Sequence, residues 1–219
     1  MGATKRFNEI GNLEVLRKQI AMNLQAEIGK NVEYTNDLVF IIHNFIKMIT
    51  NCEYQAIDPG TKQIITLNDV RGLYIAGGIG SGKSTLIKAL TKTMHDLRIS
   101  YQTNLFETTK YFFGSKCVYS ITELNNIYSA NGESPKNVSV VAIDDMPKDN
   151  LIFRYMGNSY SLDAFIQDRY DEAHTITFVT SNFPLSDKYL KLDPRSVSRL
   201  HEMCAYYELR NTDYRKKLC

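Results

Sequence analysis

The sequence lacks the features of a small extracellular protein and those of a zinc protein. Its 219 residues include no tryptophan, and its only four cysteines form neither a CxxC pair nor a cluster with histidine. Because zinc ligands come in closely spaced groups, we expect no zinc site. A chain of this length buries enough apolar surface to fold without disulfides, so we expect a reducing, cytoplasmic environment.

Long apolar segments are absent as well. The longest runs from 38 to 49 and is interrupted by His43, Asn44 and Lys47, whereas a membrane-spanning helix needs about 20 apolar residues. Neither sign of charge dominates, because 26 Lys and Arg are balanced by 24 Asp and Glu for a net charge of +2. We therefore expect no membrane partner. The charge balance does not by itself indicate a nucleic-acid partner, and it is compatible with a local basic face.

The first half of the chain contains two amphipathic helical patterns. Apolar residues recur every three or four positions from 13 to 28 and again from 38 to 49, as they do on the buried face of a helix. The turn-forming sequence DPGTKQ at 58–63 follows and indicates a hairpin tip or a linker. We therefore divide the chain into an N-terminal helical segment, residues 1–67, and a second domain, residues 68–219. The first segment is either a partner-docking module or a helical cover for the core.

From residue 72 onward, short apolar runs alternate with helical patterns. The candidate strands are GLYIA (72–76), SYQTNL (100–105), VSVVAI (138–143), TITFVTS (175–181) and CAYYEL (204–209). The helices between them are expected at 83–97, 106–114, 121–129 and 160–172. Near-continuous apolar strands that alternate with helices are typical of a parallel sheet covered by helices on both faces. The predicted fold class is therefore α/β.

The segment GGIGSGKST connects the first candidate strand to a helical pattern. From Gly77 to Ser84 it matches the phosphate-binding loop, or P-loop, in full. Its glycines permit positive φ angles, so several N–H groups can point at one phosphate, and the following helix adds the positive end of its dipole. We expect a nucleoside triphosphate to be bound by the whole loop: Gly77, Gly78, Ile79, Gly80, Ser81, Gly82, Lys83, Ser84 and Thr85.

Four polar side chains have more specific expected roles at this loop. Lys83 would reach the β- and γ-phosphates, and Ser84 would supply a hydroxyl ligand to Mg²⁺. Asp144 and Asp145 end the strand VSVVAI, at the edge where open parallel sheets bind their ligands. Asp144 suits an outer position on the magnesium ion, and Asp145 suits a base that orients water toward the γ-phosphate.

Three further residues extend the predicted site. Asn182 follows the fourth strand, and its amide could hydrogen-bond the attacking water or the γ-phosphate; alternatively, it caps the turn before Pro184. Arg195 and Arg199 lie four residues apart in DPRSVSRLHEM and would share one helix face. An arginine offered to a γ-phosphate stabilises the transition state and can come from a neighbouring subunit. The alternative for both arginines is a solvated helix face.

In this order and spacing, the motifs resemble those of an AAA+ ATPase, and more narrowly those of the DnaC-like helicase loaders and their IstB-like relatives. The resemblance rests on five segments between residues 70 and 210: GLYIAGGIGSGKSTL, AIDDM, AFIQDRY, TFVTSNFP and RSVSRLHEM. It implies a P-loop AAA+ core with a five-stranded parallel sheet of order 5-1-4-3-2. It also implies ATP and Mg²⁺ as cofactors, and self-association with ATP sites shared between adjacent subunits.

The resemblance also implies a role for each matching residue. By position, Lys83 and Ser84 correspond to the loop lysine and hydroxyl, and Asp144 and Asp145 correspond to the acidic pair. Asn182 corresponds to the first sensor, and Arg199 to the arginine finger that is donated in trans. Arg195 is the alternative finger, and Arg169 is a possible further interface residue. Two features depart from the family pattern. The second acid is the shorter Asp145 where most AAA+ proteins have Glu, and the chain after Arg199 is too short for a full C-terminal lid.

The implied partners are single-stranded DNA and a replicative helicase, or a transposase for an IstB-like helper. The sequence itself offers KYFFGSK (110–116), whose aromatic and Lys side chains could contact DNA or, for the aromatics, belong to the core.

A P-loop kinase would need an arginine-rich lid, which we do not find. A superfamily 3 helicase has its first two motifs closer together and needs a longer chain. We therefore expect an ATP-hydrolysing helicase loader, with the IstB-like helper and then the superfamily 3 helicase as alternatives.

Overall fold

A computed structural model describes residues 5–210 apart from 9, 11, 30–31, 106–108, 132–137, 156–157, 173, 187 and 189. The helices are α1 (Leu13–Ile28), α2 (Asn36–Ile49), α3 (Lys83–Asp96), α4 (Ile121–Asn131), α5 (Leu162–Asp171) and α6 (Pro194–Met203). The strands are β1 (Lys5–Phe7), β2 (Tyr54–Ile57), β3 (Ile64–Leu67), β4 (Gly72–Gly77), β5 (Ser100–Thr103), β6 (Tyr111–Phe112), β7 (Val118–Ser120), β8 (Val140–Met146), β9 (Ile152–Tyr155), β10 (Asn158–Ser161), β11 (Ile176–Ser181) and β12 (Cys204–Leu209). None of these described helices is both long enough and apolar enough to cross a membrane.

The centre of the molecule is a five-stranded sheet of order β12-β4-β11-β8-β7. Every neighbouring pair in it is parallel. Numbered along the chain, these five strands follow the order 5-1-4-3-2, so the predicted α/β fold class and strand order are confirmed. Strand β11 lies between β4 and β8, and the residues that follow these three strands therefore emerge at one edge of the sheet.

Helices cover both faces of this sheet, as the apolar strands predict. In β4, Leu73 and Ile75 belong to a cluster that includes residues of α1, α2 and α3. Tyr74 and Ala76 belong to a second cluster, which includes residues of α5 and α6. Because alternate residues of a strand point to opposite faces, a strand between two helical layers must be apolar at almost every position.

The elements before β4 have short-range causes that are visible in the sequence. The side chain of Asn12 caps α1, which ends at Gly29 with a φ of 71°, a left-handed conformation that glycine adopts easily. Thr35 caps α2 by accepting a hydrogen bond from the Leu38 N–H. The turn at 58–63 is the tip of a hairpin, because β2 and β3 pair antiparallel on either side of it.

The second strand of the parallel sheet differs from the prediction. Strand β7 occupies that position beside β8, whereas β5, which starts the segment 100–105, lies in a separate antiparallel sheet between β1 and β6. The segment predicted at 100–105 is therefore a strand, but its placement was wrong. Tyr101 of β5 is buried, and its hydroxyl donates to the carbonyl groups of Ser139 and His174. An apolar pattern indicates burial of this kind, but it does not identify the partner strand.

The helix predicted at 106–114 is wrong where the structure describes it. Residues 109–110 have no regular structure, and Tyr111–Phe112 form β6; residues 106–108 lie outside the described part of the chain. Consecutive aromatic residues favour a strand. Here β6 completes the antiparallel sheet by pairing with β5.

Candidate nucleotide-binding site

The loop between β4 and α3 has a backbone that specifically requires glycine. Gly80 and Gly82 have φ angles of 77° and 91°, in the left-handed region that side chains with a Cβ disfavour. A Cβ added at Gly77 would lie 2.6 Å from the carbonyl oxygen of Leu209 and 2.8 Å from the hydroxyl oxygen of Ser81. The loop therefore packs against the end of β12 and has no room for a side chain at Gly77.

The polar groups of the loop fit a phosphate. The Ser81 hydroxyl is buried and has no hydrogen-bond partner among the residues that the structure describes, and no side chain caps the first turn of α3. A helix N-terminus with free N–H donors attracts anions. A phosphate in the loop would therefore satisfy a buried hydroxyl and several backbone donors at once.

Lys83 links this loop to the neighbouring strand. Its side chain is largely buried, with 4% of the residue exposed, and Nζ donates 2.9 Å hydrogen bonds to the carbonyl oxygens of Gly77 and Gly78. A third hydrogen bond of 2.9 Å runs from Nζ to Oδ1 of Asn182, which follows β11. The structure therefore brings Lys83 and Asn182 together, although they are far apart in the sequence.

The two acidic residues lie at a β-bulge. Val179 of β11 pairs with Ile143 of β8, and Ser181 pairs with Met146, so both Asp144 and Asp145 lie opposite one residue, Thr180. Asp145 has a φ of 54°, which is in the left-handed region. Bulges of this kind redirect side chains and are frequent beside active sites, and here the bulge leaves Asp145 exposed and Asp144 half-buried.

Thr180 is a candidate site residue that the sequence analysis missed. Its buried hydroxyl accepts a 2.9 Å hydrogen bond from the Asp145 N–H and donates a 2.7 Å hydrogen bond to Oδ1 of Asp144. It therefore fixes the backbone at Asp145 and orients the carboxylate of Asp144. The sequence TSN at the end of β11 could have predicted this position for Thr180, because a polar residue at the end of one parallel strand lies beside the acids that end the next.

The donor set also fits Mg²⁺. The described residues include no cluster of three or more His, Cys, Asp and Glu side chains that could hold a metal by themselves. Magnesium, however, is usually held by one or two carboxylates together with phosphate oxygens and water. The Ser84 hydroxyl, on the first turn of α3, and the Asp144 carboxylate, at the end of β8, are oxygen ligands of the required kind.

The two candidate finger arginines lie on α6 and do not take part in the contacts around Lys83. Arg195 is exposed, and its backbone N–H is capped by Asp193. Arg199 contacts α5 instead, because its guanidinium carbon lies 4.0 Å from the centre of the Tyr170 ring. It also lies 3.8 Å from the carboxylate of Glu202. Within one subunit, the structure therefore keeps these arginines with α5 and α6 rather than with the P-loop.

Arg169 is not an interface residue in this subunit, contrary to the prediction. Only 1% of it is exposed, and burial lowers its pKa to about 10. Its guanidinium donates to the Thr177 hydroxyl and to the carbonyl groups of Val138 and Ile176. Arg169 therefore connects α5 to the sheet from inside the core.

Most of the segment KYFFGSK is also committed to the fold. Tyr111 stacks between Tyr101 and His174, and Phe113 stacks on Phe178. Lys116 forms an ion pair with Glu123. For Tyr111 and Phe113 the structure favours the core alternative. Phe112 is the aromatic side chain of the segment that remains exposed, at 53%.

The fold of this chain is similar to that of two solved structures. No protein-family model matches the chain, and neither does any curated protein. A crystal structure of DnaI is 16% identical, with a TM-score of 0.52 and a match that covers 94% of this chain and 94% of that chain. A crystal structure of the DnaC helicase loader is 14% identical, with a TM-score of 0.50 and a match that covers 90% of this chain and 99% of that chain. At these identities the likeness concerns the fold.

The sheet order and the loop between β4 and α3 define a P-loop protein with the AAA+ fold. Within that class, the chain has the fold found in DnaI and the DnaC helicase loader over nearly its whole length. The resemblance that the motifs indicate is thus confirmed as a DnaC-like AAA+ fold.

Proposed function

We propose that this protein is an ATP-hydrolysing AAA+ protein of DNA replication, a DnaC-like loader that acts on a replicative helicase and on single-stranded DNA. The observation that carries the proposal is the contact of Lys83 with the P-loop carbonyls and with Asn182. It joins the loop that would hold ATP to Asn182, the residue that we propose as the sensor of the γ-phosphate. The likeness in fold to the DnaC helicase loader supports the choice of client.

The residues divide the reaction between them. The loop from Gly77 to Thr85 binds the phosphates, and Lys83 neutralises the charge on the β- and γ-phosphates. Ser84 and Asp144 would hold Mg²⁺, which would stabilise charge on the phosphate oxygens. Asp145 orients the attacking water and accepts its proton.

The site is completed by a second subunit in this proposal. Arg199, with Arg195 as the alternative, lies on α6 away from the contacts of Lys83 in its own chain. A guanidinium that meets the γ-phosphate of a neighbouring subunit would supply the missing positive charge in the transition state, an effect worth about a thousandfold or more in turnover. Self-association is therefore part of the mechanism.

ATP turnover per subunit, measured over a range of protein concentrations with and without single-stranded DNA, tests this proposal. We expect the rate to rise with concentration and to rise further with DNA. Lys83→Ala should bind ATP at least about a hundredfold more weakly, while Lys88→Ala, at an exposed lysine of the same helix, should behave as the parent protein. A rate that is independent of concentration and of DNA would contradict the shared site.

The N-terminal helices are the proposed docking module for the client. Helix α1 packs its buried face on α3, and its opposite face exposes Val15 and Met22 at 47% and 63%. We expect Met22→Glu to weaken binding of a purified replicative helicase about tenfold or more, with unchanged ATP turnover. Arg17→Glu, at an exposed charged position of α1, is the control. Binding of a transposase but not of a helicase would favour the IstB-like alternative.

A further inference from the structure

Arg199 is part of a cluster of three side chains. Its guanidinium carbon lies 4.0 Å from the ring centre of Tyr170 on α5, which is within the range of a cation–π interaction. The Tyr170 hydroxyl donates a 2.6 Å hydrogen bond to Oε2 of Glu202 on α6. The other oxygen of Glu202, Oε1, lies 3.8 Å from Nη1 of Arg199. The cluster therefore ties the arginine to both helices.

This arrangement holds the guanidinium but leaves donors available. Nε of Arg199 has no hydrogen-bond partner among the residues that the structure describes, and 3.8 Å is too long for a hydrogen bond from Nη1 to Glu202. The side chain of Arg199 remains 32% exposed. A phosphate oxygen that approaches from another molecule can therefore bind the N–H edge while the ring contact persists.

The protonation state of Tyr170 supports the same role. A tyrosine hydroxyl is neutral at neutral pH, and the hydrogen bond to Glu202 raises the pKa of the Tyr170 hydroxyl further from that range. A phenolate would pair with Arg199 and compete with an incoming phosphate. The neutral ring attracts the cation without neutralising its charge.

We propose that Tyr170 is a positioning residue whose ring orients Arg199 toward the γ-phosphate of ATP bound to a neighbouring subunit. This inference rests on the proposed shared site. A long arginine side chain loses rotamer freedom when it binds, and a ring that already restricts it reduces that loss. Glu202 acts one step further away, because its hydrogen bond holds the orientation of the ring.

The test mixes two kinds of full-length subunit in equal amounts. Acceptor subunits carry Arg199→Ala and can bind ATP, whereas donor subunits carry Lys83→Ala and can supply only the finger. We expect Tyr170→Leu in the donor to lower kcat of the mixture about tenfold, with the KM for ATP unchanged. Tyr170→Phe keeps the ring and should retain kcat within about twofold. Tyr170→Leu in the acceptor should leave kcat of the mixture unchanged. Tyr34→Leu in the donor, at a tyrosine that is 51% exposed, should also leave it unchanged.

Each other outcome overturns a distinct claim. Full turnover with Tyr170→Leu donors would overturn the positioning role alone. An equal loss of kcat when Tyr170→Leu is placed in the donor or in the acceptor would also overturn it, because it would indicate a structural role. If the mixture of the single variants Lys83→Ala and Arg199→Ala shows no turnover although both are folded by circular dichroism, the shared site is wrong, and the positioning role falls with it.

Discussion

The side-chain oxygen of Asn182 accepts a 2.9 Å hydrogen bond from Nζ of Lys83. The same ammonium group donates to the carbonyl oxygens of Gly77 and Gly78, so its three donors are directed at protein atoms. A γ-phosphate that binds Lys83 must take the place of at least one of these acceptors. If the displaced acceptor is Asn182, its amide becomes available to the phosphate, and nucleotide binding is coupled to the end of β11.

Replacing Asn182 should therefore separate ATP binding from ATP hydrolysis. We expect Asn182→Ala to keep the Kd for ATP within about threefold, since Lys83 loses only a competing acceptor. We expect kcat to fall about tenfold to a hundredfold, because an amide that orients water or the γ-phosphate is missing in the transition state. Fluorescent-nucleotide binding and steady-state turnover measure the two quantities.

The control for Asn182 is Asn68→Ala, at an exposed asparagine just after β3. It should leave both quantities unchanged. A large loss of ATP affinity in Asn182→Ala would show that the amide serves to hold Lys83 in place for binding, and it would count against a role as the sensor of the γ-phosphate.

The left-handed backbone of Asp145, with a φ of 54°, determines which substitution can test its chemistry. Asn adopts this conformation readily, whereas most other residues are strained there. We expect Asp145→Asn to fold and bind ATP like the parent protein and to lose at least about a hundredfold in kcat, because an amide cannot accept the proton of water. Single-turnover hydrolysis checks this.

The matched control for that substitution is Asp149→Asn, which removes the charge of an acid in an exposed ion pair with Lys191. We expect it to hydrolyse ATP normally. If Asp145→Asn retains its turnover, the proton acceptor must be a different residue.

Local sequence was sufficient to predict the elements whose causes are local. The P-loop glycines, the capping residues Asn12 and Thr35 and the hairpin at 58–63 act over a few residues. The apolar runs likewise indicated most strands of the parallel sheet. The strand order, by contrast, came from the resemblance to a family, because periodicity alone does not specify neighbours.

Features that depend on distant residues were not predictable from the pattern. At the bulge, Asp144 and Asp145 lie opposite Thr180, which belongs to another strand. The role of Thr180 depends on β8 and β11 being neighbours, which the family resemblance implied but the apolar pattern does not specify. The contact of Tyr170 with Arg199 depends likewise on the packing of α5 against α6.

Removing the Thr180 hydroxyl should disturb both acids at once. Thr180→Val has nearly the same shape but leaves the N–H of Asp145 and the carboxylate of Asp144 without their hydrogen bonds to the Thr180 hydroxyl. We expect the free energy of unfolding to fall by about 2 kcal/mol. We also expect the Mg²⁺ concentration for half-maximal turnover to rise, because Asp144 loses a hydrogen bond that orients it.

Thr180→Ser is the control for this variant because it keeps the hydroxyl and removes one buried methyl group. It should cost about 1 kcal/mol in stability and leave the Mg²⁺ requirement unchanged. Urea unfolding and a magnesium titration of turnover measure the two effects. An unchanged Mg²⁺ requirement in Thr180→Val would show that Thr180 is structural only.

The buried position of Arg169 predicts a loss of stability rather than a loss of assembly. Arg169→Leu leaves the carbonyl groups of Val138 and Ile176 without their donor, and we expect the free energy of unfolding to fall by about 3 kcal/mol. Turnover per folded subunit and its dependence on protein concentration should stay the same, because the guanidinium binds the sheet and not another subunit. Arg17→Leu, at an exposed arginine of α1, should change neither quantity. If Arg169→Leu instead kept its stability and shifted the concentration dependence of turnover, Arg169 would act at the interface, as the family resemblance implies, through a rearrangement that exposes it.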